Sequence, residues 1–314
     1  MQGYDIPILL EFFARPSTFS KVFDEVKKIK PKTLYLYQDA PRGPKDEEGW
    51  KKCREIAEDI DWECDVHKFY QEKNQGCDPS GFIAQSWFFS EVEYGIVLED
   101  DIVVNEAFFI YMKKMLEKYK DDEEISLVCG MNLLDTFDNP KDPASYFFTK
   151  HGGIWGWGSW KRFYSKCDPT YSWLDDKAAI KNIKKDFYSR REARYYIKKA
   201  KQRRVEGKAY FETIVYAASR SNNMLHIVPS VNYVCNIGIG MDASGTHSPS
   251  DLNRLPPKTR RLFHMERHPL PDPFIDPKGR IRNIPYERKI CSSVFDPLIQ
   301  KFYALKYVLT HRHK

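Results

Sequence analysis

The stretch Tyr94-Gly95-Ile96-Val97-Leu98-Glu99-Asp100-Asp101 decides how the chain folds. Its first five residues form a short, mostly apolar run of the kind that fills a buried parallel strand, and three acids close it abruptly. A helical pattern precedes it from Ser80 to Val92, and another follows from Asn105 to Tyr119. The alternation continues outward. Ile6 to Phe13 reads as a strand, followed by a helix to about Lys30 that Ser17 or Ser20 is expected to cap. Phe19, Val22, Phe23, Val26 and Ile29 fall on one face of that helix. Thr33 to Tyr37 is a second strand, and a helix near 46–60, a strand near 62–69 and a strand from Ile125 to Cys129 complete the pattern. Strands alternating with helices predict an α/β fold with a doubly wound, mostly parallel sheet, and such sheets bind ligands at the carboxyl ends of their strands.

Beyond residue 130 the signals weaken. Residues 145–174 are aromatic and rich in glycine, and read as irregular. Residues 175–206 read as basic and helical, 210–221 as a short helix, and 224–235 as one or two strands. Eight of the 19 prolines lie in the last 64 residues. That composition predicts an extended, wrapping C-terminal extension over 251–314, attached to a single domain at 1–250. A final helix near 295–310 carries Phe295, Leu298, Ile299, Phe302, Leu305 and Leu309 on one stripe, for which core packing is the expectation.

The chain has 314 residues and 37.0 kDa, with 42% hydrophobic and 30% charged residues, which excludes disordered and collagen-like classes. No apolar run approaches the roughly 18 residues that span a bilayer. Ile6 to Ala14 is interrupted by Glu11, stops at Arg15-Pro16, and lacks the basic start and small-residue cleavage site of a signal peptide. A cytoplasmic chain is the expectation. Seven cysteines, an odd number with no CxxC pair, indicate neither a disulfide framework nor a zinc site. Between Lys181 and Lys208 twelve Lys/Arg face three Asp/Glu, a local +9 within a chain of net +6, so the remainder is −3. A global nucleic-acid-binding charge is thereby excluded. Aromatic residues, at 15%, point to stacking surfaces or an aromatic-rich groove.

Three acids directly after an apolar strand are costly unless they bind something. At a strand's carboxyl end, Glu99, Asp100 and Asp101 suit a hard divalent ion such as Mg²⁺ or Mn²⁺, which bridges phosphate oxygens. A solvated loop is the plain alternative. Arg15 ends the first strand just before a helix, where arginine and helix N-terminus both favour phosphate; a surface arginine is the alternative. Asp39 ends the second strand and offers an acceptor to a base or ribose, or simply closes a turn. Ile154-Trp155-Gly156-Trp157-Gly158-Ser159-Trp160 alternates indoles with small residues. Trp155 and Trp157 could stack on a sugar, with a packed aromatic core as the alternative. His151 beside Gly152-Gly153 suits a phosphate or an acceptor, or a plain loop. Glu212 opens a helix, where the dipole alone favours an acid.

Taken together, Arg15-Pro16, Gln38-Asp39, Asn74-Gln75-Gly76-Cys77, Glu99-Asp100-Asp101, the tryptophan segment and Asn236-Ile237-Gly238 followed by His247 resemble a family. Over about residues 5–250 the chain looks like a bacterial nucleotide-diphospho-sugar transferase of the GT-A fold. Its acid motif and aromatic segment are also similar to those of N-acetylglucosaminyltransferase I. The resemblance implies a GT-A-like glycosyltransferase acting on a nucleotide sugar, UDP-linked by expectation, in polysaccharide biosynthesis. It implies Asp101 as ligand to Mn²⁺ or Mg²⁺, Asp100 facing the donor ribose, and Arg15 and Asp39 on the diphosphate and the nucleoside. It places an acid at the start of the 210–221 helix across the sugar from the metal, where the general base for the acceptor hydroxyl of an inverting enzyme belongs; here that acid is Glu212. The family's acid–threonine–His ending is stretched here by Ser244-Gly245, which makes His247 the weaker second metal ligand.

Two other classes remain open. A nucleotidyltransferase would want a Gly-rich basic loop after the first strand, which Arg15-Pro16-Ser17 does not supply. A non-catalytic protein binding an anionic surface would rest on 181–208, whose plain reading is a solvated face. The same stretch suits a lipid-linked pyrophosphate acceptor or anionic headgroups at the inner face of the membrane, with Phe187, Tyr188, Tyr195 and Tyr196 as anchors.

Overall fold

In the structure, a computed structural model that describes residues 3–187, 189–239, 255–294, 298–299 and 302–303, the apolar runs become strands of one eight-stranded sheet. The first half is a series of strand–helix steps. β1 (Ile8–Phe12) leads to α1 (Pro16–Ile29), β2 (Thr33–Gln38) to α2 (Pro44–Glu58), and β3 (Asp65–Tyr70) to α3 (Cys77–Glu91). β4 (Tyr94–Glu99) leads through the short β5 (Ile102–Val104) to α4 (Glu106–Lys118), whose N-cap Asn105 accepts the Phe108 N–H at 3.1 Å. α1 buries the face expected of it. Its start differs from expectation, since it begins before both Ser17 and Ser20 and has no side-chain cap. Pro16 accounts for this: its fixed φ suits a first helical turn, and it has no N–H to satisfy there.

The second half is β6 (Ile125–Cys129), β7 (Tyr146–Thr149), β8 (Trp157–Trp160), α5 (Lys161–Tyr164), α6 (Lys177–Asp186), α7 (Arg190–Glu206), α8 (Phe211–Ser221), β9 (Leu225–Pro229) and β10 (Val234–Asn236). Two strands thus run through 145–174, which the sequence reading left irregular. Gly158 sits inside β8 because a side chain there would press on the Gly95 carbonyl of β4 and on Leu116 of α4. A residue that ordinarily interrupts strands is here what lets one pack.

The strand order is β3-β2-β1-β4-β8-β6-β9-β7. Six strands point one way. β8 runs against β4 and β6, and β7 runs against β9 at the edge. The result is a mixed α/β fold with a mostly parallel sheet. The order reverses between β1 and β4, so their carboxyl ends open a crevice. Trp157, Trp160, Phe108 and Leu98 are all but fully buried in the main core. A smaller core that includes Trp173, Ile183, Ile197 and Ile214 seats α6 and α7 on α8.

Residues 255–294, with α9 (Pro257–Arg260) and α10 (Ile284–Cys291), run back over the body. Ser145 N–H bonds the Ile275 carbonyl at 2.8 Å, Asn283 N–H the Phe148 carbonyl at 2.7 Å, and His268 N–H the Asn232 carbonyl at 2.9 Å. The terminal helix expected over 295–310 falls largely outside the described residues. Of the expected stripe, Leu298, Ile299 and Phe302 are exposed rather than packed on the core, and Phe295, Leu305 and Leu309 lie outside the described residues. No helix among the described residues is long and apolar enough to cross a membrane.

Candidate functional site

β1 and β4 are parallel neighbours in register, with Glu11 opposite Glu99. Register partners on parallel strands share a face, so two glutamates stand side by side at the mouth of the crevice. Burial pushes the Glu11 carboxyl up to about 8, and the Asp100 charge adds to the effect. Burial, then the charges of Asp101, Glu11 and Asp100, hold Glu99 well above the usual carboxylate range. Just beyond the strands lie Asp100 and Asp101, both buried. Arg15 answers two of these four acids directly. Arg15 bonds Asp100 through one terminal nitrogen, and its other lies 2.9 Å from Asp101 Oδ2. Burial works against the guanidinium charge, but Asp100 and Asp101 outweigh it and hold Arg15 firmly charged. Asp100 also accepts the Phe13 N–H at 3.1 Å, which ties the ends of β1 and β4 together.

β10 pairs with β5, and the Ile237 N–H bonds the Asp101 carbonyl at 2.9 Å. This brings Gly238 against the acids. A Cβ at that position would stand 2.0 Å from Asp101 Oδ2 and 3.0 Å from an Arg15 nitrogen, so only glycine fits. The crevice contains a cavity of about 170 Å³. Its walls include Glu11, Arg15, Glu99 and Asp100, with Asn74 and Gly76 at the start of α3 and Phe211 at the start of α8. Glu212, the next residue, is exposed in the first turn of α8.

Asp39 lines the same cavity but its oxygens are already engaged. They accept the backbone N–H groups of Ala40, Gln75 and Gly76 at 2.9–3.1 Å and the Asn74 amide at 3.0 Å. The residue expected to face a nucleoside therefore fixes the 74–76 loop that opens α3. Trp157 corrects its expected role outright: it is 1% exposed, in the core against Phe89, because β8 is a central strand. Trp155 is half-buried and packs on Phe263 at 5.0 Å, and neither tryptophan lines the cavity. His247 lies outside the described residues. His151 is away from the crevice lining, buried beside Glu192. On the basic stretch, Tyr196 donates to the Thr213 carbonyl at 2.7 Å and packs on Phe187, so neither is a free anchor; Tyr195 is exposed, and Tyr188 lies outside the described residues.

The donor set fits a divalent cation. Among the described residues Arg15 pairs with Asp100 and Asp101, and Arg42, the other arginine of the lining, pairs with Asp46, so Glu11 and Glu99 make no ion pair, and carboxyl oxygens are the hard ligands that Mg²⁺ and Mn²⁺ take. The reading from sequence missed Glu11, which looks like an interruption in an apolar strand until the register sets it beside Glu99. It also missed Phe211.

No protein-family model matches the chain, and no curated protein matches its sequence. Solved structures that match part of the chain include HddC from Yersinia pseudotuberculosis, at 10% identity, covering 51% of this chain and 78% of that one with a TM-score of 0.33. They also include 4-diphosphocytidyl-2C-methyl-D-erythritolsynthase from Anaerococcus prevotii, at 12% identity over 51% and 74% of the two chains, TM-score 0.30. Apo mouse xyloside xylosyltransferase 1 is 10% identical over 69% of this chain and 81% of that one, TM-score 0.35. Likeness this distant ties none of these activities to the present chain.

Proposed function

We propose that the protein is a metal-dependent glycosyltransferase. It takes a sugar from a nucleoside-diphosphate sugar, a UDP-sugar in this reading, and places it on a saccharide or lipid-linked saccharide with inversion at the anomeric carbon. The observation that carries the reading is Arg15 set among four carboxyl groups where the strand order reverses. Asp101 would hold Mn²⁺ or Mg²⁺, with His247 as a weaker second ligand. Such an ion, when bound, neutralises charge on a departing diphosphate.

Arg15 lies beside that position with its charge already fixed in place by Asp100. A preoriented cation stabilises a leaving group without reorganising during reaction. Asp100 is assigned to the donor ribose, and Asp39 shapes the nucleoside wall through the 74–76 loop. Glu212 takes the proton of the acceptor hydroxyl, a poor nucleophile until that proton leaves. A positioned base of this kind contributes about 10²–10⁴-fold. The lipid-linked acceptor is supported by the basic face: a groove of about 710 Å³ between α6 and α7 is lined by Lys177, Lys181, Lys184, Lys185, Arg190 and Arg194.

Calorimetric titration of UDP with and without Mn²⁺ tests the reading. The wild-type chain should show Mn²⁺-dependent affinity and Asp101→Asn should lose it. Equal Mn²⁺-dependent affinity in both proteins overturns the assignment. Release of UDP from a UDP-sugar, rather than pyrophosphate from UTP and a sugar phosphate, separates glycosyl from nucleotidyl transfer.

A further inference from the structure

Apart from the crevice, three segments distant in sequence bring different donor atoms to one partly buried point. His151 follows β7, Glu192 lies in the first turn of α7, and Cys291 is the last residue of α10. His151 Nε2 lies 2.9 Å from Glu192 Oε1 and 3.7 Å from Cys291 Sγ, and Cys291 Sγ lies 3.5 Å from Glu192 Oε2. None of the three lines the crevice.

These separations, 2.9, 3.5 and 3.7 Å, lie close to the edges of a tetrahedron around zinc, the His151–Glu192 pair being tighter than an edge. Bonds of about 2.3 Å to sulfur and 2.0–2.2 Å to nitrogen and oxygen place neighbouring ligand atoms about 3.2–3.6 Å apart. One imidazole, one carboxylate and one thiolate form a mixed, partly soft donor set, which favours Zn²⁺ over Mg²⁺ or Mn²⁺. The second ring nitrogen supplies an independent sign. His151 is 5% exposed, and its Nδ1 has no hydrogen-bond partner yet lies 3.8 Å from Glu287 Oε2. Zinc-bound histidines ordinarily present that nitrogen to a carboxylate, which fixes the tautomer. Glu287 is fully buried and held rigidly, accepting bonds from Arg282, the Thr149 hydroxyl and the Lys150 N–H.

We propose that His151, Glu192 and Cys291 bind a zinc ion, with Glu287 orienting His151 and the fourth position left to water. Binding forms the zinc–sulfur bond as the Cys291 thiol releases its proton to solvent, and no electron is transferred. Glu192 and the thiolate bring two negative charges, which the ion balances. The ion joins the 149–153 loop, α7 and α10.

The test uses the full chain, loaded with Zn²⁺ and separately with Co²⁺, and dialysed. The expected result is about one zinc per chain by elemental analysis, and a thiolate-to-cobalt charge-transfer band in the near ultraviolet. Cys291→Ser should lose the band and bind zinc at least about tenfold more weakly, as should His151→Gln. Asp101→Asn should leave both signals intact, which keeps this site distinct from the crevice. Absence of the cobalt–thiolate band in the wild-type chain overturns the proposal without any variant. An unchanged band and stoichiometry in Cys291→Ser overturns it equally.

Discussion

Glu11 and Glu99 face each other across the β1–β4 ladder, two carboxyl groups paired in register where the parallel sheet changes direction. Burial of Glu11 at that position, with the Asp100 charge nearby, has a titration consequence. Glu11 is raised from 4.5 to about 8 in the folded chain, so the folded state holds its proton more tightly than the unfolded one. Stability from this group is complete below about pH 4.5 and is lost as pH rises through about 8, with a slope of at most ~1.4 kcal/mol per pH unit. In urea denaturation at pH 5, 7 and 9, Glu11→Gln should gain on the wild type as pH rises. Parallel stability curves for the two proteins would refute the cost of burying the Glu11 carboxylate.

Gly238→Ala should damage the crevice while sparing the fold. The added methyl must displace Asp101 or Arg15, both of which are already bonded to each other. Overpacking of this size costs about 1–3 kcal/mol, enough for roughly a tenfold or greater loss of Mn²⁺-dependent UDP affinity. Circular dichroism should be unchanged. Wild-type affinity in the variant would show that the 236–238 segment does not wall the site.

Glu212→Gln keeps the size of the side chain and removes the carboxylate proposed as the base. It should bind UDP and Mn²⁺ normally and transfer sugar at least about 10²-fold more slowly. NMR of the product should show the inverted anomer. Near-normal turnover would leave Glu212 as an acid favoured by the α8 dipole, and a retained anomer would remove the mechanism.

The two tryptophans should separate by stability. Trp157→Ala empties a fully buried position and should cost about 3–5 kcal/mol in urea denaturation. Trp155→Ala, at a half-buried position, should cost clearly less. Similar losses at both positions would contradict the placement of Trp157 in the core.

Charge reversal at Lys181, Lys184 and Arg194 should reduce cosedimentation with vesicles rich in phosphatidylserine and leave UDP affinity unchanged. These side chains line the groove between α6 and α7, where each near-surface cation is worth about 1 kcal/mol toward anionic lipid. Equal sedimentation of both proteins would remove the membrane role.

The first half of the fold was legible because β1, β2 and β4 are buried on both faces, so their apolar runs stand out beside amphipathic helices such as α1. The acid cluster was legible for the same reason, since Glu99-Asp100-Asp101 ends a run that has no polar residue after Tyr94. β7 and β8 were not. Gly152, Gly153, Gly156 and Gly158 read as breakers, whereas Gly158 makes room for the β4 backbone and Gly156 takes φ +61°. Glu11 was hidden because register belongs to two strands, and one strand's sequence does not contain it. The tryptophans misled because an indole suited to a sugar is equally suited to a core, and only the position of β8 between β4 and β6 distinguishes them. His151, Glu192 and Cys291 have no spacing to read, since the tail brings the last of them back from the far end of the described chain.

The short β5–β10 ribbon also bears on how the protein comes into being. Asp101 is synthesised early, among the first third of the chain, yet its neighbour Gly238 arrives only after β9, the strand that pairs with β6. Contacts between such distant residues close slowly, because the long intervening loop must lose its freedom before they form. A nascent chain therefore has the means to build β1 through β4 while its acidic corner is still open on one side. A product truncated before β10 would carry Glu11, Glu99, Asp100 and Asp101 without the Gly238 segment that walls them.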